Sequence, residues 1–422
     1  LLQNILLLFL IIGLLYSDRI NNFSPLIFDI VRYILILISF IDFFSLLIWM
    51  KRNHIEKEIK YSFVHYFLVL RIRTSLLDAG YFVKRQFFGI DVAKLPKINL
   101  KMDENYSYGK VEIKNEIKYE KRLDNIEISS SLGKYIVEFS YLSDDENYYV
   151  FEIFNSKINR RLTFNSSKEF IDYSAQYNND TLFIDSINKV KLHHTLIVGQ
   201  TGSGKTYALY SLILQLINKK VHCNLFIADP KASSLSVIGD KIIPENTSED
   251  IDDIIQSLRQ FNMKMNERKN EIKEKLLSKI ESSYVDFDFE PYVFIFDEYA
   301  SFQSVIQSRD KKTRDEVNKL ISQIVLQGRQ LGFFLFVVMQ KSDSTSLPTM
   351  IRDNFPLKIV LGNAEEQTYI TAFGYSKDIP KYKFRRGEGV YTFPEIANNP
   401  KICSFSYLNF DILGSFNKAG GL

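Results

Sequence analysis

Along this chain the spacing of apolar and polar residues takes four forms in turn, and each form predicts a different kind of element. Residues 1–16 are almost wholly apolar, and residues 33–50 are apolar apart from Asp42 and small polar side chains. Each stretch approaches the ~20 residues that cross a bilayer as a helix, so two transmembrane helices are predicted within 1–50. From 55 to about 83 apolar positions recur at helical spacing, among them Phe63, Phe67, Leu70, Leu76 and Leu77, with Arg71 and Arg73 interleaved. This predicts a juxtamembrane amphipathic helix within 51–97, its basic residues meeting anionic lipid or plain water. Between 98 and 190 the pattern shortens to alternating runs such as Val111-Glu112-Ile113-Lys114 and Tyr149-Val150-Phe151-Glu152-Ile153-Phe154, parted by turn clusters such as Ser143-Asp144-Asp145-Glu146-Asn147. A small β-rich cytoplasmic module is expected there, its aromatics forming the buried face of a sheet or, alternatively, stacking platforms for nucleic acid.

From 191 to 422 the apolar runs are continuous: 195–198, 224–228, 292–296, 333–338 and 358–361, separated by helical patterns after Lys205, over 248–282 and over 312–327. Continuously apolar strands alternating with helices predict an α/β domain whose mostly parallel sheet is covered on both faces.

Charge orients the first fifty residues. Lys51, Arg52, Lys57 and Lys60 follow the second apolar stretch, whereas the connection 17–25 holds only Arg19, balanced by Asp18. Both termini are therefore expected in the cytoplasm, with the chain a multi-pass protein of the cell membrane. Asp42 is costly in lipid and is expected to face a neighbouring helix. A cleavable signal peptide is the competing reading, but a basic leader and a small-residue cleavage site are missing. The chain opens on Leu1 rather than Met, which agrees with an incomplete N-terminus.

Composition changes this picture little. With 46% hydrophobic and 24% charged residues among 422, disorder is not the theme, and a net charge of +3 leaves any nucleic-acid surface to be a local patch. Cys223 and Cys403 lie far apart in apolar surroundings, which argues against disulfides or a thiolate metal site and fits a reducing compartment. His193 and His194 have no acid or cysteine at ligand spacing and read as a strand-edge pair.

The chemistry begins where the first continuous strand ends. Gly199-Gln200-Thr201-Gly202-Ser203-Gly204-Lys205-Thr206 is a complete phosphate-binding loop directly after Leu196-Ile197-Val198. Such a turn aims backbone N–H groups and the positive end of the following helix at phosphate oxygens. Lys205 is expected to reach the β- and γ-phosphates of ATP, and the Thr206 hydroxyl to hold Mg²⁺. A second apolar strand closes on Asp297-Glu298. At the same sheet edge Asp297 can orient Mg²⁺ and its waters, and Glu298 can take a proton from the attacking water. Gln340 closes the strand from Phe333 and either hydrogen-bonds the γ-phosphate or the water, or merely ends a strand.

Several ordered motifs then resemble one family. Asp229-Pro230-Lys231, Met265-Asn266-Glu267-Arg268, Asp297-Glu298-Tyr299-Ala300, Gln327-Gly328-Arg329-Gln330-Leu331-Gly332, the Gln340 strand end, Ile351-Arg352-Asp353-Asn354-Phe355-Pro356 and Arg386-Gly387-Glu388-Gly389 stand in the order seen in the FtsK/SpoIIIE DNA translocases. The resemblance covers 193–393 and implies a RecA-like motor forming a ring, a homo-hexamer, around double-stranded DNA, hydrolysing ATP between subunits. It makes Arg329 a candidate arginine finger for the neighbour's site, with a salt-bridged helix residue as the alternative.

Departures narrow the expected task. Ser301 stands where the chromosome translocases usually have an acid, Lys341-Ser342 replaces their Arg-Pro, and about thirty residues follow Phe393, too few for their winged-helix reader. The plan resembles the FtsK-type coupling proteins of Gram-positive conjugative elements, which implies a membrane-anchored translocase moving DNA to a transfer channel, with relaxase and channel proteins as partners. Three other readings stay open: an FtsK-like ATPase of protein export, a chromosome or plasmid pump of division or sporulation, and a regulatory nucleotide-binding membrane protein with little turnover.

Overall fold

The computed structural model describes residues 25–117, 119, 126–276, 282–340, 347–375, 379–380 and 382–419. It divides into two compact units, Leu1–Ser156 and Lys157–Leu422.

In the first unit α1 (Pro25–Arg52) is followed by α2 (Ile59–Asp78), strands β1 (Val83–Phe87) and β2 (Ile90–Lys94), and then β3 (Ile98–Met102), β4 (Tyr108–Lys114), β5 (Tyr135–Leu142) and β6 (Tyr148–Asn155). The last four form an antiparallel sheet in the order β3-β4-β6-β5. Leu68, Ile72 and Leu76, one turn apart on α2, meet Leu100, Val111, Ile113 and Ile153 in its core. The β-rich module is thus a small sheet closed by one helix, and its alternating residues are split between core and solvent.

The amphipathic helix expected from 55 to about 83 stops at Asp78, and residues 83–94 form a hairpin instead. Phe88 and Gly89, with φ of 49° and 76°, make a two-residue turn of the kind that matches strand twist. Of the two expected membrane spans, the one over 1–16 lies outside the described residues. The one over 33–50 is helical within α1 and exposes Leu37, Phe40, Ile41, Phe43, Phe44 and Ile48. Among the described residues no helix is long and apolar enough to cross a membrane, so the described helices do not carry the two-span expectation.

The second unit is built on an eight-stranded sheet. Before it come β7 (Thr163–Phe164), α3 (Ser167–Ser174), β8 (Thr181–Phe183) and β9 (Lys189–Lys191). The sheet's strands are β10 (Thr195–Gly199), β11 (Asn224–Ala228), β12 (Thr247–Ser248), β13 (Tyr292–Phe296), β14 (Phe333–Met339), β15 (Leu357–Leu361), β16 (Glu388–Phe393) and β17 (Ala397–Ser404), and β18 (Tyr407–Leu408) pairs with β7. The sheet order is β12-β11-β13-β14-β10-β15-β16-β17, parallel from β12 to β15 and antiparallel at β16 and β17. The helices are α4 (Lys205–Ile217), α5 (Ser234–Ile242), α6 (Ile251–Leu276), α7 (Tyr299–Ser308), α8 (Lys311–Leu331), α9 (Thr349–Asp353), α10 (Glu366–Phe373) and α11 (Ile412–Ala419). They pack in two groups against the sheet: α6, α7 and α8 together, and α3, α4, α5 and α11 together. On the first side Phe261 of α6 sets its ring edge-on against Phe226, Phe294 and Phe333 of three neighbouring strands.

Residues 157–190, grouped with the β-rich module on sequence grounds, pack with this unit. Gln215 of α4 bonds both backbone groups of Phe183, and Asn188 and Arg160 both donate to the carbonyl of Ile402. Parallel register then places the ends of β10, β11, β13 and β14, at Gly199, Ala228, Phe296 and Met339, along one sheet edge.

Candidate functional site

The loop between β10 and α4 needs glycine at two positions. Gly202 and Gly204 have φ of 84° and 103°, and a Cβ on Gly204 would sit 2.6 Å from the amide nitrogen of Gly387. Lys205, the first residue of α4, folds its ammonium over the loop, donating to the carbonyls of Gly199 and, at 3.2 Å, Gln200. Burial holds its pKa below the usual lysine value, while the carboxylates of Glu298 and Asp297 oppose that shift. The Ser203 hydroxyl is buried in the loop without a hydrogen-bond partner among the described residues, a donor suited to a phosphate oxygen, and Thr206 is exposed at the helix start.

Two acids meet at the ends of β11 and β13. Asp229, fully buried, accepts from the Ser233 amide and hydroxyl, each at 2.7 Å, and from the amides of Ser236 and Lys231 at 3.1 and 3.2 Å. The Ser233 hydroxyl also lies 3.2 Å from Asp297 Oδ2. Asp297 has a raised pKa, first because it is buried and next because Asp229 is close. A divalent cation would remove that penalty, so Thr206 and Asp297 fit a Mg²⁺ held by one hydroxyl, one carboxylate, waters and phosphate. Among the described residues no group of three or more His, Cys, Asp or Glu side chains forms a self-sufficient metal site.

Glu298 adopts φ 52°, a left-handed conformation that costs a non-glycine residue on the order of 1 kcal/mol or more. Its 8% exposure and two partners hold it there: Lys231 Nζ lies 3.2 Å from Oε2, and the Gln340 amide donates to Oε1 at 3.3 Å. One carboxylate thus ties together the chain just beyond three strand ends, β11, β13 and β14. Gln340 is exposed at that edge.

Arg329 is elsewhere. It lies in the last turn of α8, which feeds the beginning of β14, and so sits at the opposite sheet edge from the phosphate loop. Exposed there, it bonds Glu395 at 3.3 Å, beside Lys191 and His193, on the wall of a cavity of about 850 Å³.

The structure adds residues to which sequence reasoning gave no role. The Gly387 amide donates to the Ser203 carbonyl at 2.7 Å, docking the turn before β16 onto the phosphate loop. Arg386 stands over the ring of Tyr207, 5.3 Å from its centre, and Arg161 donates to the Arg386 carbonyl. Lys231 and Asp229 complete the set. Their signal was present in Asp229-Pro230-Lys231 and Arg386-Gly387-Glu388-Gly389, motifs whose spatial convergence no spacing along the chain displays.

Residues 165–343 match the FtsK/SpoIIIE family. The chain is 32% identical over 184 residues to the Ftsk domain-containing protein YdcQ of Bacillus subtilis, a match covering 44% of this chain and 37% of that protein. It is 30% identical over 179 residues to the DNA translocase FtsK of Borreliella burgdorferi, covering 39% and 22%. The matches thus span well under half the length of these relatives. Among solved structures, the pCW3 conjugation coupling protein TcpA, in its monomer form with ATPγS, superposes with a TM-score of 0.52 at 15% identity over 83% of this chain and 98% of that one, a likeness of fold. The second unit carries an FtsK/SpoIIIE-type P-loop ATPase domain.

Proposed function

We propose that this chain is a membrane-anchored, ATP-driven translocase that moves double-stranded DNA, without reading its sequence, to a conjugative transfer channel. The observation that carries the reading is a division of the site between two sheet edges. Lys205, Asp297, Glu298 and the Gln340 amide gather at one edge, whereas Arg329 stands at the other. An arginine so placed can serve a γ-phosphate only in an adjacent copy, which is what a ring, here a homo-hexamer, provides. The name of the Borreliella burgdorferi relative supports DNA as the cargo, and the fold shared with the conjugation coupling protein TcpA supports a conjugative role, in which relaxase and channel proteins would be the partners. The exposed apolar side chains of α1, followed by Lys51 and Arg52, support an anchor in the cell membrane with cytoplasmic termini.

In this reading the loop amides and Lys205 grip the β- and γ-phosphates of ATP. Thr206 and Asp297 would hold Mg²⁺, which neutralises charge at the transferring phosphoryl group. Glu298, held by Lys231 and the Gln340 amide, accepts the proton of the attacking water, and the Gln340 side chain contacts that water or the γ-phosphate.

The test is ATP hydrolysis with and without duplex DNA. Duplex should stimulate turnover, and Lys205→Ala should abolish it. Arg329→Ala should keep nucleotide binding yet lose turnover by about 10³-fold or more. Mixing the two inactive variants should restore part of the activity, because each ring then pairs an intact loop with an intact arginine. Turnover indifferent to DNA would point to protein export, and an active Arg329→Ala would remove the arginine from the site.

A further inference from the structure

The first unit holds a cavity of about 1100 Å³ between the end of α1, one side of α2 and the β3–β4 edge. Its charge is one-sided. Arg52, Lys57, Arg73, Lys97 and Lys114 line it, and among the described lining residues Glu116 is the acid. Nearby acids are already engaged: Glu56 with His54 at 3.0 Å, Glu112 with Lys101 at 2.8 Å, and Glu58 with the Tyr106 hydroxyl at 2.8 Å. Lys97 and Lys114 are opposite each other across the antiparallel ladder, where the Lys114 amide donates to the Lys97 carbonyl at 2.8 Å. Like charges at such positions cost stability, and an anion between them removes the cost. His65 at the cavity wall reports the same field: its pKa falls to about 4, first through burial and then through repulsion by His54 and Arg52.

We infer that this cavity receives the phosphate-bearing headgroup of an anionic phospholipid, an inference that rests on the membrane-anchored reading of α1. Duplex DNA offers the same phosphate chemistry, but two features favour lipid. The cavity has the dimensions of a small-ligand site rather than of a groove for a double helix. It is also lined by Trp49, whose ring packs 5.6 Å from that of Tyr66, where the exposed apolar residues of α1 end and Arg52 follows. Aromatic rings beside basic side chains at the end of an apolar helix suit the headgroup layer, with acyl chains along Phe44, Leu47 and Ile48.

The experiment titrates the detergent-solubilised full chain with dioctanoyl-phosphatidylglycerol and, separately, dioctanoyl-phosphatidylcholine. Saturable binding of the anionic lipid, about tenfold tighter than of the zwitterionic one, is expected. It should weaken by about tenfold in Lys97→Glu/Lys114→Glu and again in Arg73→Glu, which approaches from α2, but not in Lys134→Glu outside the cavity. Unchanged basal ATP hydrolysis verifies folding in each. Equal lipid binding by wild type and cavity variants overturns the inference. So does displacement of the lipid by inorganic phosphate at equal concentration, which would make this a free-phosphate site, or by a short DNA duplex, which would make it a nucleic-acid site. Alkaline extraction of the chain from vesicles tests the anchor separately. Release of the chain with cavity binding intact would sink the anchor alone, and a retained chain whose cavity ignores the lipid would sink this inference alone.

Discussion

The Ser233 hydroxyl has one proton and two carboxylates within reach, Asp229 and Asp297. Asp229 draws three backbone amides besides, so Asp297 is the less satisfied of the two and the one whose charge calls for a cation. A second buried pair acts on stability. His194, whose Nδ1 accepts from the Leu335 amide, has its pKa pushed down to about 3, first by burial and then by repulsion from His193 and Arg329; His193 falls to about 4, first by burial and then by Arg329. Both folded values lie below the unfolded one, so the unfolded chain binds more protons as pH falls from about 6.5, and stability is lost across that window. His194→Gln keeps an acceptor for Leu335 but cannot be protonated. It should reduce the stability lost between pH 6.5 and 5 by about 2 kcal/mol, read from denaturant melts at the two pH values. A pH dependence identical to wild type would refute the account. At this scale the sequence told much: Lys205, Asp297 and Glu298 follow from a loop and a strand end. Lys231 did not, because the Glu298 contact spans two strand ends whose adjacency only the β11–β13 pairing creates.

Among elements, β16 links the phosphate loop to the sheet. Its leading turn bonds Ser203 through Gly387, and Gly389 in the strand leaves no room for a side chain beside the Val360 carbonyl of β15. Gly389→Ala should push β16 off β15 and slacken the phosphate loop with it. The expected outcome is a melting temperature lower by several degrees, corresponding to about 1–3 kcal/mol, together with weaker ATP binding. Lost stability with unaltered nucleotide affinity would show that the Ser203–Gly387 bond carries nothing to the loop. Neither β16 nor β17 was foreseen. Glycine weakens the strand signal of β16, and Asn399 and Pro400 interrupt β17, a composition tolerated because β17 is the sheet's edge. The five continuously apolar strands were legible because a parallel strand buried on both faces must be apolar throughout. The β1–β2 hairpin was hidden for the opposite reason: Lys84, Arg85 and Gln86 leave its stem almost wholly solvent-exposed and without periodicity.

At the level of the whole molecule, the boundary at Ser156 predicts that residues 157–422 fold and bind ATP alone, whereas a fragment beginning at 191 does not. The shorter piece would strip Phe183 from Gln215 and Asn188 from Tyr391 and Ile402, leaving buried polar groups unpaired. Cooperative melting and nucleotide binding of both fragments test this, and equal behaviour would return the boundary to 190. Sequence placed it there because β7, β8 and β9 are short strands like those before them, while the partner of β7 and the Ile402 carbonyl that Asn188 bonds lie more than two hundred residues later. The same remoteness governs how this protein can be made. Both neighbours of β10 are downstream, and Gly199 does not meet Leu361 until the ribosome has added the intervening chain, about 8 to 30 seconds of synthesis. Until β14 has been added a strand of Thr-Leu-Ile-Val-Gly has no native partner on either side, and from then until β15 is complete it has one on a single side. The nascent chain is therefore most open to chaperone capture and to misassociation with its siblings before β15 is complete, and pauses in translation upstream of residue 361 lengthen that exposure.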